Sequence, residues 1–192
     1  IIMRGQFLTS SVYSFENMRN GNFLYVDKTE YIWKLIEPAN AMYFLSRPRR
    51  FGKSLTLSTL KAVFQGRKEL FKGLALYDKP YDWKPYPVIH LDMNGRRYDS
   101  LENLERSLRE IMKEQALFHH IDMEYEASET MLQKLIVQLS RDSQVVLLID
   151  EYDKPILENI ASPDAQKFVR ALKSFYSVVK EKAGLIRFAF VT

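Results

Sequence analysis

Residues 41–54 read Ala-Met-Tyr-Phe-Leu-Ser-Arg-Pro-Arg-Arg-Phe-Gly-Lys-Ser. The apolar run Met42–Leu45 has the character of a buried strand, the loop behind it ends in Gly52-Lys53-Ser54, and a helix-patterned stretch follows. Strand, loop and helix N-terminus in that order are the layout of a P-loop, in which backbone N–H groups and a lysine surround phosphates. Roughly a hundred residues on, Val145-Val146-Leu147-Leu148-Ile149-Asp150-Glu151 supplies what the loop lacks, an apolar strand ending in two carboxylates. The pair of segments implies binding of a nucleoside triphosphate with magnesium.

The full loop pattern is G-x-x-x-x-G-K-[ST], and Arg47 stands where its first glycine would be. Pro48 favours an extended backbone at Arg47, so a side chain is tolerable there. Gly52 keeps its place, Lys53 is suited to the β- and γ-phosphates, and the Ser54 hydroxyl to magnesium. Arg47, Pro48, Arg49, Arg50, Phe51 and Leu55 complete the expected phosphate-binding set. At the far strand, Asp150 is expected to hold the magnesium shell. The next residue, Glu151, points elsewhere and is suited to act as general base on the attacking water. A Gly-Lys-Ser triplet alone is weak, because chance supplies one in roughly a tenth of chains this long. Its place between strand and helix, together with the downstream carboxylates, makes it specific.

Composition agrees. A chain of 192 residues with 46% hydrophobic and 27% charged residues suits one globular α/β domain. Its longest wholly apolar run, Val145–Ile149, is far short of a membrane span, so no membrane partner is expected. The absence of cysteine excludes disulfides and thiolate metal sites, and fits a reducing, cytoplasmic setting. The net charge of +4 is mild, and Arg47, Arg49, Arg50 and Lys53 crowd into the loop itself. That concentration points to phosphate more than to a general nucleic-acid surface.

Periodicity organises the rest. Residues 1–40 read as a helical lead-in, with Ser14 capping a turn and a helix carrying Tyr31, Ile32, Leu35 and Ile36. Strands are expected at Met42–Ser46, Val88–Met93, Val145–Ile149 and Leu185–Thr192. Between them lie helices after Ser54, from near Ser100, around Met131–Leu139 and around Phe168–Val179, with Gly66 and Gly184 as stops. Apolar strands alternating with amphipathic helices argue for a mostly parallel sheet covered on both faces. Thr29 reads either as a helix cap or, with Asp27 and Lys28, as a neighbour of the adenine. Tyr77, Tyr81, Trp83 and Tyr86 read better as packing aromatics than as base-stacking ones, and His90, His119 and His120 as structural rather than metal-binding.

The segments Tyr25-Val26-Asp27-Lys28-Thr29, Ser46 to Ser54, Tyr86-Pro87-Val88-Ile89 and Leu148 to Pro155 together resemble the prokaryotic AAA-ATPase-like family. The arginine-rich Arg-Pro-Arg-Arg-Phe-Gly-Lys-Ser loop is the most specific mark. The resemblance implies a three-layer P-loop NTPase core over 41–192, with the fourth strand between the P-loop strand and the carboxylate (Walker B) strand. It implies a γ-phosphate sensor at Thr192 or just beyond, a core truncated at its C-terminal end, and a nuclease-like domain of the PD-(D/E)xK type as the usual following partner. Slow ATP hydrolysis coupled to such a domain or to an oligomeric partner is the leading expectation. A nucleotide-responsive binding module, or a nucleic-acid-binding domain using Arg49, Arg50 and Lys53, are the alternatives.

Overall fold

A computed structural model describes residues 6–9, 12, 14–46 and 52–192. Its strands are β1 (Ala41–Phe44), β2 (Val88–Asp92), β3 (Val145–Asp150) and β4 (Ile186–Val191). They form one parallel sheet in the order β1-β4-β3-β2. The helices are α1 (Phe15–Asn20), α2 (Thr29–Ile36), α3 (Lys53–Phe64), α4 (Leu101–Phe118), α5 (Ser128–Leu139), α6 (Lys154–Glu158) and α7 (Ala165–Glu181). No described helix is long and apolar enough to cross a membrane.

β3 is buried at all six of its positions, as expected of a strand covered on both faces. Its residues alternate between two cores. Val146 and Leu148 join Val88, Phe188 and Phe190 under Leu57, Leu60, Val63 and Phe64 of α3. Val145, Leu147 and Ile149 join Ile89, Leu91 and Ala189 under α4, α5 and α7. Burial of so many large apolar side chains, each contributing on the order of 1.5–3 kcal/mol, is what holds the helices to the sheet. This two-sided alternation also decides which side chains at the strand ends face α3.

The lead-in helices pack on the α3 side, where Phe15, Ile32 and Ile36 enter the core. Ser14 caps α1 by accepting from the Asn17 N–H at 3.3 Å. Arg187 on β4 donates to the carbonyls of Ile36 and Pro38, both at 2.8 Å, satisfying the last turn of α2 and tying it to the sheet.

The first turn of α2 differs from expectation. Lys28 holds the cap position and Thr29 is already helical, while the Asp27 carboxylate does the capping. Asp27 Oδ1 accepts from the Thr29 N–H at 2.8 Å and the Thr29 hydroxyl at 2.7 Å, and Oδ2 accepts from the Ala75 N–H at 2.7 Å. Thr29 Oγ1 in turn accepts from the Leu76 N–H. Asp27 therefore clamps α2 to the 3-10 turn Ala75–Asp78. Partial burial opposes ionisation of its carboxyl, but these hydrogen bonds outweigh it and hold the pKa below the usual value. We expect Asp27→Ala to lower folding stability by about 1–2 kcal/mol, the usual worth of a cap, and chemical denaturation of the variant checks it.

The aromatic connector packs as expected. Tyr86 meets Phe64 edge-on, and Trp83 lies against Phe71 and Tyr81. The expected stop at Gly184 falls instead inside a 3-10 turn, Ala183–Leu185, three residues beyond the end of α7.

Candidate functional site

The carboxyl ends of β1, β3 and β4 meet the N-terminus of α3, the edge at which open parallel sheets hold ligands. The expected site residues Arg47, Pro48, Arg49, Arg50 and Phe51 lie outside the described residues. Gly52 is described, with φ of 77°, a left-handed backbone that glycine adopts at no steric cost, and a Cβ there would meet no described atom within 4 Å. Lys53, Ser54 and Leu55 then open α3 with no side-chain cap and no acidic residue in the first turn. The N–H groups of this turn have no partner among the described residues, and together with the helix dipole they favour an anion at that point.

Two contacts join this turn to the end of β3. The Ser54 hydroxyl donates to Asp150 Oδ2 at 3.0 Å, across 96 residues of sequence. Lys53 Nζ lies 3.4 Å from Glu151 Oε1, and both side chains are largely shielded. The two halves legible in the sequence are thus in direct contact. Asp27, expected beside the adenine, hydrogen-bonds to Thr29 and Ala75, as described above.

Asp150 is only 4% exposed, and its Oδ1 has no hydrogen-bond partner among the described residues. Burial pushes its carboxyl above the ordinary range. The Ser54 hydrogen bond opposes that shift, the charges of Asp92 and Glu151 add to it, and Lys53 opposes it. Glu151 departs from the strand at φ 54°, a conformation that costs a non-glycine residue about 1–3 kcal/mol. The turn is held by Tyr152 N–H donating to the Thr192 carbonyl at 3.1 Å and by Lys154 N–H donating to the Glu151 carbonyl at 3.0 Å. The kink sends Glu151 toward Lys53 and leaves Asp150 beneath Ser54.

Thr192 and Asp92 complete the edge. Thr192 is 3% exposed, its N–H donates to the Ile149 carbonyl, and its hydroxyl is without a partner among the described residues. Asp92 pairs in register with Asp150. The alternation of the strands places Asp92, Asp150 and Thr192 on the α3 face, following His90, Leu148 and Phe190 respectively. Sequence reading did not single out Asp92. The signal was present in Val88-Ile89-His90-Leu91-Asp92, a second strand closing on a carboxylate, but only the register turns it into a neighbour of Asp150.

Among the described residues no group of three His, Cys, Asp or Glu side chains is arranged to hold a metal. His119 Nε2 lies 2.9 Å from the Val88 carbonyl, and His90 Nε2 is buried with no partner among the described residues. A soft or imidazole-bound metal does not fit. Magnesium does, because it takes one or two protein oxygens and completes its shell with water and phosphate. The orphaned Asp150 oxygen beside a serine hydroxyl is such a donor set.

Residues 10–192 match the family model described as predicted AAA-ATPase. The chain is also similar to a protein of Azotobacter chroococcum mcd 1, described as an uncharacterized protein in the vnfD 5′ region. The two are 38% identical over 192 residues, covering 96% of this chain and 36% of that protein. The chain thus spans about a third of the length of this curated relative. No solved structure matches.

Proposed function

Because the chain belongs to the predicted AAA-ATPase family, we propose that it binds ATP with Mg2+ and hydrolyses it, the cycle being coupled to a partner or to a nuclease-like domain that follows the core. The observation that carries this reading is the pairing of α3's first turn with the end of β3: Ser54 on Asp150 and Lys53 on Glu151. Nothing in either segment alone requires the other, and both are needed for phosphoryl transfer.

Each residue then has one task. The N–H groups of Lys53, Ser54 and Leu55 receive phosphate oxygens, and Lys53 neutralises the β/γ end by leaving Glu151. Ser54 and Asp150 hold magnesium, which supplies charge neutralisation on the phosphates. Glu151, released from Lys53, accepts the proton of the attacking water. Arg49 and Arg50 belong to the same phosphate-facing loop by sequence, and a bidentate guanidinium contact there would favour ATP over ADP.

Titration of the purified chain with ATP, ADP and GTP, with and without magnesium, followed by a phosphate-release assay, tests the reading. No ATP binding by the parent chain, or ATP binding of the same strength in the Lys53→Ala variant, would overturn it. Binding without turnover would favour a nucleotide-responsive binding module instead, a reading consistent with Glu151 being held in an ion pair in the ligand-free state.

Asp150→Asn separates metal from nucleotide. We expect the gain in ATP affinity conferred by magnesium to fall about tenfold or more, with magnesium-free binding little changed. The same substitution alters the pH dependence of ligand-free stability. A carboxyl whose folded pKa is raised destabilises the fold when ionised, and that penalty fades as pH falls through the folded value toward the unfolded one near about 4. Thermal melts across that window should therefore show stability lost with rising pH in the parent, and a shallower slope in Asp150→Asn. Equal slopes would mean that Asp150 ionises at no cost.

A further inference from the structure

We infer that Asp92 is a positioning residue of the divalent-cation site, acting through the cation's water shell beside Asp150. The inference rests on the proposed Mg-ATP reading and adds a residue from a third strand to it.

Three observations converge. Asp92 and Asp150 are register partners on adjacent parallel strands, and the Met93 N–H donates to the Asp150 carbonyl at 3.2 Å, so the ladder persists to the very end of both strands. Both side chains belong to the α3 face, and in-register neighbours on one face lie about 5 Å apart. Asp150 Oδ1, deeply buried on that face, has no partner among the described residues. The spare acceptor thus opens onto a face where the neighbouring strand offers another carboxylate.

The fold does not use the charge of Asp92. Oδ1 accepts from the Asn94 N–H at 2.8 Å and from Asn94 Nδ2 at 2.9 Å, which closes the turn leading to Gly95 at φ 70°. Asparagine performs that task as well as aspartate does. Oδ2 forms neither a hydrogen bond nor an ion pair among the described residues. Lys154 stops one step short, donating to Asn94 Oδ1 at 3.2 Å and not to the carboxylate. Lys53 is committed to Glu151. Two carboxylates side by side, with neither ion-paired among the described residues, repel each other unless a cation lies between or beside them. A hydrated magnesium ion held beside Asp150 would relieve that repulsion, with the Asp92 carboxylate helping to hold its water shell.

Asp92→Asn tests this directly, because the amide oxygen keeps the turn and only the charge is lost. ATP affinity is measured by calorimetry in excess MgCl2 and in EDTA for the parent, Asp92→Asn and Asn94→Ala. The expected result is a fall of about tenfold in the magnesium-dependent gain for Asp92→Asn, as is usual for outer-shell partners of a metal. Affinity in EDTA should not change, the melting temperature should not fall, and Asn94→Ala should keep the gain. An undiminished gain in Asp92→Asn overturns the inference while leaving the Mg-ATP reading intact. An equal loss in Asn94→Ala makes the residue a turn former and also overturns it. If the parent shows no magnesium-dependent gain, both readings fall.

Discussion

Lys53→Ala is expected to lower ATP affinity at least tenfold. Lys53 is the described cation at the opening of α3, and a charge-assisted contact to phosphate is typically worth about 2 kcal/mol or more. Two terms act in opposite directions. The substitution removes the phosphate contact, and it also removes the ligand-free ion pair with Glu151, whose loss would by itself favour the bound state. That pair is partly accessible and worth only about 1 kcal/mol, so the first term wins. A further loss arises because Glu151 is left as an uncompensated negative charge near incoming phosphate. Isothermal calorimetry with ATP and magnesium is the measurement, with circular dichroism to establish that the variant is folded. Equal affinities for parent and variant would remove the phosphate site from the start of α3.

The sequence made this prediction possible because each half of the site has a strong local signature. The run Val145–Ile149 is apolar at every position because β3 has a helix layer on each face, and Asp150 and Glu151 mark where that burial ends. Ser100 announced α4, and it caps that helix by accepting from the Asn103 N–H at 3.1 Å. Where the sequence misled, a distant partner decided. Asp27 rather than Thr29 caps α2 because Ala75, 48 residues away, supplies a third donor to the same carboxylate. The strand expected at Met42–Ser46 has its regular ladder at Ala41–Phe44, although the Leu45 N–H still reaches the Val191 carbonyl at 2.8 Å. Lys154-Pro155 opens the short helix α6, where proline suits the first positions. Asp92 was overlooked for the same physical reason. Alternation within a strand is visible in one dimension, but which strand ends lie together depends on register, and register is settled by the cores above and below the sheet.

Glu151→Gln should divide hydrolysis from binding more sharply than any other change. The amide has the shape of the carboxylate but cannot take the proton of an attacking water, and loss of a general base typically costs 10²–10⁴-fold. Turnover should fall by about that amount. Binding should move the other way. In the ligand-free protein Lys53 Nζ sits 3.4 Å from Glu151 Oε1, so the triphosphate must compete with the glutamate for the lysine. Neutralising position 151 frees Lys53 and removes a negative charge from beside the phosphates. A largely shielded pair that water still reaches contributes on the order of 1 kcal/mol, so ATP affinity should tighten by a few-fold and not weaken. Steady-state phosphate release and calorimetry on the same preparation give both numbers. Unchanged turnover would show that Glu151 is not the base, and would shift the balance to a module in which ATP is a ligand alone. Weakened binding with normal folding would mean that the Lys53–Glu151 pair helps to build the phosphate site, not to compete with its ligand. The strained backbone at φ 54° makes competition for the lysine the physical expectation, since it turns the carboxylate out of the strand and onto Lys53.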